Sequence, residues 1–281
     1  MTSHSPRRVR AARIASHAVL ALGVVVFAFP FYWLLVMATN STSDILASPP
    51  RLVPGDRFFE NFDKVTAGSE FVRAFFNSLV LTTVTCAIQL FLAALAGYVF
   101  AKRDFPGRNA LFSGLLATLI IPTGVSIVPS FQIYSDLGWI NTFFPLIVPN
   151  AVTAFGIFWM RQAAEMNVPD ELVDAARMDG AGFLRTFWNV ALPCMRPALV
   201  AFGIFQVMWT WNDYLWPLLV LNDPGMFTLP VALQQLTGNY GRTDYSVVMA
   251  GTLVATLPLL VLFLFLRRVV LENAADGALK G

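Results

Sequence analysis

Residues 71–108 read FVRAFFNSLVLTTVTCAIQLFLAALAGYVFAKRDFPGR, a long apolar run that ends in a short basic connection. The run from about Phe71 to Ala101 exceeds the roughly 20 apolar residues that cross a bilayer as a helix. Lys102, Arg103 and Arg108 follow it at once, and Lys and Arg are retained in cytoplasmic loops. The stretch therefore predicts a membrane helix whose C-terminal end faces the cytoplasm.

Five further apolar runs predict five more spans. They cover about Ile14 to Ala38, Asn109 to Val128, Thr142 to Met160, Cys194 to Val220 and Tyr245 to Leu266. The first is longer than a signal-peptide core of about 7–15 residues, so we expect an uncleaved anchor. Only 13% of the 281 residues are charged, against roughly 25% in an ordinary soluble domain. The predicted fold is an all-α membrane protein with six transmembrane helices.

The placement of basic residues orients these spans. Most of the 19 Lys and Arg residues lie at the N-terminus, in 102–108, in 161–193 and near the C-terminus. Both termini are therefore predicted to be cytoplasmic. We expect a single transmembrane domain over 1–281. Its parts are a first span and outer loop (1–70), a five-span core (71–266) and a cytoplasmic tail (267–281).

Missing residue types exclude several functions. None of the lysines follows a glycine, so the chain lacks the phosphate-binding G-x-x-x-x-G-K-[ST] loop and any ATP must be hydrolysed elsewhere. The two histidines lie near the N-terminus, and Cys86 and Cys194 fall in or beside apolar stretches, so neither a catalytic cluster nor a metal site is expected. The net charge of +2 is too small to indicate a nucleic-acid partner. An ion-coupled carrier needs ionisable groups at membrane depth, and Asp213 is the one candidate.

The polar stretch 161–193, between the fourth and fifth spans, predicts a helix with clear ends. Pro169 suits the first turn of a helix, and Asp170 and Glu171 place negative charge at the positive end of its dipole. Gly180 permits the positive φ that ends a helix. A second amphipathic helix follows, and Pro193 is expected to end it. A merely solvated connection is the alternative interpretation.

Residues 169–181 read PDELVDAARMDGA, and L-P-x-x-x-P follows at 192–197. This pattern resembles the signature EAA loop of binding-protein-dependent ABC importer permeases. In that family the loop forms coupling helices that dock into a cleft on an ATPase subunit, here a cytoplasmic loop between helices 4 and 5. The family usually has glutamate where this chain has an aspartate at 174. The resemblance implies a docking element made of Glu171, Asp174, Ala175, Ala176, Asp179, Gly180 and Ala181.

The fifth span carries polar and aromatic residues at helical spacing. Trp209, Asn212, Asp213 and Trp216 occupy i, i+3, i+4 and i+7, with Gln206 one turn earlier. Polar groups in a membrane helix usually face a cavity or the bundle, and indole faces beside amide and carboxylate groups suit a sugar. These residues form a candidate translocation path. A tryptophan belt at the outer membrane interface remains the alternative for the indoles.

Two segments resemble the carbohydrate branch of this family, which includes the smaller permease subunit of maltose importers. WNDYLWPL at 211–218 is similar to its W-N-(D/E)-(F/Y)-x-x-P-L segment, and DGALKG at 276–281 is similar to its G-A-x-K-G ending. The resemblance implies a sugar or sugar-like solute and a tail that contacts the ATPase. It also implies a structured outer loop, with turns at Pro224–Gly225 and Gly238–Gly241, that meets a binding protein.

The same resemblance implies the partners. They are a second related permease subunit, two ATPase subunits that bind ATP and magnesium, an extracytoplasmic solute-binding protein, and the lipid bilayer of a prokaryotic cytoplasmic membrane. No cofactor is expected in this chain, and no catalytic residue. An ion-coupled secondary carrier that uses Asp213, or a membrane enzyme, would explain fewer of these features than an importer permease explains.

Overall fold

The computed structural model describes residues 6–67, 70–237 and 243–279, and side chains over 15–67, 70–237 and 243–265. The predicted Gly238–Gly241 turn and the last two residues of the tail lie outside that range. Regular structure in the described residues is helical, without strands. The helices are α1 (Pro6–Thr39), α2 (Thr42–Ile45), α3 (Phe58–Ala67), α4 (Phe71–Lys102), α5 (Arg108–Ala117), α6 (Ile127–Asp136), α7 (Phe144–Ile147), α8 (Ala154–Asn167), α9 (Asp170–Met178), α10 (Phe183–Thr186), α11 (Leu192–Trp211), α12 (Leu215–Val220), α13 (Leu229–Gln235) and α14 (Tyr245–Leu279).

Five segments are long and apolar enough to cross a membrane, and a bent pair makes a sixth if it counts as one span. The five are Ala15–Thr39, Phe71–Lys102, Phe144–Asn167, Phe183–Trp211 and Tyr245–Phe265, and the bent pair is Arg108–Ile120 with Thr123–Asp136. The all-helical, multi-span prediction is confirmed at this level. The last helix continues to Leu279, into the segment predicted as a short tail.

The third span is not the straight helix that its apolar run predicted, because its two halves meet at 88°. Pro122 lies at the break, and Ile121 before it is extended (φ −72°, ψ 119°). A residue that precedes proline is pushed out of the helical region, which accounts for the turn. Pro129, expected to close the span, is the third residue of α6, where a helix needs no N–H donor.

The fourth and fifth spans also differ from their predicted outlines. The fourth is interrupted by a 3₁₀ turn at Pro149–Ala151 before α8 begins. Pro193 does not end the helix before it. Instead, a π-helical turn at Phe187–Ala191 joins α10 to α11, and Pro193 falls in the first turn of α11, where its missing N–H costs nothing.

The chain forms two compact units, the first made of residues within 1–69 and 233–256, the second of those within 70–232 and 257–281. In the first unit the Thr42 hydroxyl donates to Asp244 (2.5 Å) and accepts from the Ser246 N–H (3.1 Å), which ties the 40–67 segment to the start of α14. The second unit contains every predicted site residue. Its core packs α4, α8 and α11 around fully buried side chains such as Tyr98, Met160, Phe187, Met195 and Phe202.

Candidate functional site

The EAA-like segment folds as one short helix, α9, with sharply defined ends. Pro169 is its N-cap residue, and Asp170 and Glu171 lie in its first turn. At the other end Gly180 has φ +78°. The Gly180 N–H donates to the Arg177 carbonyl (3.0 Å) and the Ala181 N–H to the Ala176 carbonyl (2.9 Å), which is the Schellman arrangement. The predicted positive φ at Gly180 is thus what ends the helix.

Helix α9 rests on the second unit through a narrow set of contacts. Val173 is its one fully buried residue and belongs to the core cluster of α4, α8 and α11. Lys102, at the end of α4, pairs with Asp170 (2.7 Å). Past the turn, Phe183 stacks on Tyr98 (5.5 Å between ring centroids) and lies under the Arg103 guanidinium (4.9 Å). The base of α9 is therefore fixed to α4.

The opposite surface of α9 is open. Of the predicted docking residues, Ala176 and Ala181 are half-buried and the other five are exposed. Two apolar side chains stand among them, Leu172 (47% exposed) and Met178 (88% exposed). The exposed side of α9 therefore combines apolar, small and acidic side chains.

A small cleft of about 180 Å³ adjoins this surface. It lies beside the end of α9 and the π-helical turn, and is lined by Ala176, Asp179, Ala181, Arg185, Thr186, Asn189 and Val190. Three of the predicted docking residues thus meet one cleft. Sequence reasoning missed Arg185 and Asn189, because these residues follow the motif and only the turn at Gly180 brings them next to it.

The second candidate site is a cavity of about 810 Å³ in the second unit, lined by residues of three candidate spans and by residues 212–216, which follow α11. Four of the five predicted path residues line it: Trp209, Asn212, Asp213 and Trp216. Its volume is within the range of small-molecule sites. No Lys or Arg is among the described residues that line it. The surface combines indole and phenol rings with amide and carboxylate groups.

Gln206, the fifth predicted path residue, does not line this cavity. It is buried (5% exposed), and its amide donates to the Thr210 hydroxyl on the same helix (3.2 Å). Trp211, which lies between residues of the predicted stripe, is also buried and packs edge-on against Phe75 (5.8 Å).

The predicted stripe spans two helices, because α11 ends at Trp211 and α12 begins at Leu215. The Asn212 amide donates to the Met208 carbonyl (2.7 Å) at the end of α11. The Asp213 carboxylate accepts hydrogen bonds from the Leu215 and Trp216 N–H groups at the start of α12. Asp213 therefore has a structural task, capping α12, in addition to its position at the cavity.

The far wall of the cavity comes from the broken third and fourth spans. Tyr134 of α6 meets Trp216 edge-on (5.5 Å), and Asn150 lies in the 3₁₀ turn before α8. Sequence reasoning did not assign these residues. The signal that could have found them was the pair of prolines, Pro122 and Pro149, since interrupted membrane helices often border a transport site.

Comparison with known proteins gives one family. Residues 89–272 match the family model described as "Binding-protein-dependent transport system inner membrane component". The chain is 34% identical over 284 residues to an arabinooligosaccharides transport system permease protein of Bacillus subtilis, covering 100% of both chains. It is 33% identical to a lactose transport system permease protein of Rhizobium radiobacter, covering 93% of this chain and 94% of the relative. It is 30% identical to an sn-glycerol-3-phosphate transport system permease protein of Agrobacterium fabrum, covering 92% of this chain and 94% of the relative.

The fold is also similar to a solved structure. A crystal structure of a bacterial ABC transporter involved in the import of the acidic polysaccharide alginate superposes with a TM-score of 0.82 at 23% identity. The match covers 95% of this chain and 99% of that chain. The similarity extends across nearly the whole of both molecules, so it concerns the complete fold.

Proposed function

The chain belongs to the family of binding-protein-dependent transport system inner membrane components, and on that premise we propose that it is the permease subunit of an ATP-driven importer. It carries a sugar or sugar-like solute across the cytoplasmic membrane by alternating access. One observation carries the proposal: α9 is attached to α4 by the Lys102–Asp170 ion pair, while most of its predicted docking residues are exposed.

In this proposal α9 is the coupling helix and lies on the cytoplasmic side. An ATPase subunit receives the surface formed by Glu171, Asp174, Ala175, Ala176, Asp179, Gly180 and Ala181. Two such ATPase subunits bind ATP and magnesium, and their closure moves α9. Asp170 pairs with Lys102 of α4, Val173 belongs to the core cluster of α4, α8 and α11, and Phe183 of α10 stacks on Tyr98 of α4. Because α9 is held to the bundle in this way, its displacement tilts the bundle helices as a body.

The cavity at Trp209, Asn212, Asp213 and Trp216 forms this subunit's share of the solute path. A second related permease subunit supplies the rest, and an extracytoplasmic binding protein delivers the solute. Indole rings stack on apolar sugar faces, while Asn150, Asn212 and Asp213 offer directional hydrogen bonds. Because no Lys or Arg lines the cavity among the described residues, a neutral sugar suits it better than a phosphorylated one.

The test compares two glycines at the end of α9. A Cβ added at either Gly180 or Gly182 would meet no atom within 4 Å, but only Gly180 has a positive φ (+78°, against −69° at Gly182). A β-branched residue at positive φ is strongly disfavoured. Gly180→Val should therefore distort the docking surface, while Gly182→Val should leave it intact.

The measurement is co-purification of the ATPase with the full-length chain, followed by solute-stimulated ATP hydrolysis in proteoliposomes. Gly180→Val should release the ATPase or abolish the stimulation, and Gly182→Val should behave as wild type. If both variants retain normal coupling, α9 is not the docking element. If the wild-type chain transports without any ATPase, the importer proposal fails altogether.

A further inference from the structure

Helix α4 carries a buried polar stripe near the middle of its membrane span. Thr82, Thr85, Cys86 and Gln89 follow one another at i, i+3, i+4 and i+7, so they share one face. Each is at most 4% exposed. Polar groups at this depth find no bulk water, so their hydrogen bonds must be made inside the protein.

Two other helices add polar groups to this face. The Gln89 amide donates to the hydroxyl of Thr153, the N-cap residue of α8 (2.8 Å). On α11 the Gln206 amide donates to the Thr210 hydroxyl (3.2 Å), and Thr210 also bonds the Cys86 thiol. We call this set the polar seam: Thr82, Thr85, Cys86, Gln89, Thr153, Gln206 and Thr210.

Three atoms of the seam have no partner. They are the Thr82 and Thr85 hydroxyl oxygens and the Gln89 side-chain carbonyl oxygen, all fully buried. An unpaired buried polar group is costly, and native proteins satisfy nearly all of theirs. Three such atoms on one face of one helix therefore indicate a ligand that can both donate and accept hydrogen bonds.

We propose that the polar seam binds internal water between α4, α8 and α11. A threonine hydroxyl needs an acceptor for its proton as well as a donor, whereas the Gln89 oxygen needs a donor, and water supplies both roles. A bare cation supplies no acceptor. None of the seven seam residues carries a carboxylate that would compensate a cation's charge at membrane depth.

The seam lies behind the wall of the 810 Å³ cavity. Helix α11 presents Phe205, Met208 and Trp209 to the cavity, and presents Gln206 and Thr210 to the seam. Water-mediated bonds can be exchanged without leaving a group unpaired, so α11 can shift against α4 at little cost. This inference rests on the unpaired atoms alone and does not depend on the transport function.

X-ray hydroxyl-radical footprinting tests it, because radicals formed from bound water oxidise adjacent side chains. The sample is the full-length chain with its partners in lipid nanodiscs, and oxidation is measured by mass spectrometry. Cys86 reports on the seam. Met160 and Met195, sulfur-containing and fully buried in the apolar core cluster, are internal dry controls. After each rate is divided by that of the same residue in the unfolded chain, which removes the higher intrinsic reactivity of a thiol, Cys86 should be oxidised severalfold more than either methionine.

The variant Thr85→Val keeps the side-chain volume and removes one unpaired hydroxyl. If water is bound, it should lower both Cys86 oxidation and the melting temperature, since bridged bonds are lost. Thr252→Val is the matched control, because the Thr252 hydroxyl bonds the Val248 carbonyl within its own helix (2.8 Å). Two results would overturn the proposal: Cys86 as unreactive as Met160 and Met195, or a melting temperature that rises in Thr85→Val, as expected on removing a dry, unpaired hydroxyl.

Discussion

Lys102, the last residue of α4, forms an ion pair with Asp170, the first residue of α9, with 2.7 Å between Nζ and Oδ1. The Lys102 side chain is 9% exposed and that of Asp170 is 79% exposed. The lysine is thus fixed within the bundle, while the carboxylate reaches back to it from the proposed coupling helix. The pair joins a membrane helix to the surface at which we expect motion to enter.

Asp170→Asn should weaken this link. An ion pair with one exposed partner contributes at most about 1 kcal/mol, so we expect solute-stimulated ATP hydrolysis to fall by no more than about fivefold. The loss should be largest at low ionic strength, because salt screens the wild-type pair as well. The measurement is ATPase stimulation in proteoliposomes across a salt series.

Asp104→Asn provides the matched control, since Asp104 is 97% exposed and pairs with Arg108 (2.8 Å) within its own connection. It should leave coupling unchanged. Equal losses in the two variants would mean that general surface charge, and not the link to α4, is responsible.

Gly97→Ala should destabilise the chain strongly. A Cβ at Gly97 would lie 2.6 Å from the backbone of Met160 and Arg161, so α4 and α8 cross there with no room for a methyl group. Overpacking of this kind costs about 1–3 kcal/mol. The measurement is the melting temperature of the purified complex in detergent.

Gly114→Ala in α5 is the comparison, because a Cβ there would meet nothing within 4 Å. Alanine favours a helix over glycine by up to about 1 kcal/mol, so this variant should melt at the wild-type temperature or above it. If Gly97→Ala and Gly114→Ala had the same melting temperature, the α4–α8 crossing would be looser than the structure indicates.

The sequence predicted the spans well where hydropathy alone decides them. The second span begins at Phe71 and the sixth at Tyr245, as expected. Hydropathy does not report direction within an apolar run, however, so the 88° bend at Pro122 was missed. A proline can bend a helix, begin one, or be accommodated in its first turn. Which of these occurs depends on neighbouring residues that are known only from the fold.

The same limit applies to the candidate site. Helical spacing grouped Trp209, Asn212 and Asp213, and all three line the cavity, although α11 itself ends at Trp211. It could not show that Gln206, about 60° from Trp209 around the helix axis at 100° per residue, is buried against the bundle and bonds Thr210 on its own helix. The opposite wall of the cavity, which includes Tyr134 and Asn150, comes from other spans. No sequence pattern near the stripe predicts these residues.

Asp213→Asn separates the importer from an ion-coupled carrier. The amide oxygen of asparagine can still accept the Leu215 or Trp216 N–H, so the α12 cap should largely persist. We expect ATP-driven uptake to continue, with no change in its response to ionophores. Wild-type uptake that ionophores abolish, together with residual uptake in Asp213→Asn that ionophores no longer affect, would instead favour the carrier.

Trp209→Ala tests whether the exposed indole serves the solute or the lipid interface. Trp209 is 64% exposed and lines the cavity. If it stacks on a sugar, its removal should lower the apparent affinity for uptake by on the order of tenfold at an unchanged melting temperature. Trp188→Ala removes an indole of similar exposure (51%) that does not line the cavity, so it should leave uptake affinity intact. A belt residue would give the reverse pattern in Trp209→Ala, a lower melting temperature with normal uptake affinity, because the indole would then anchor the helix in the interface and touch no solute.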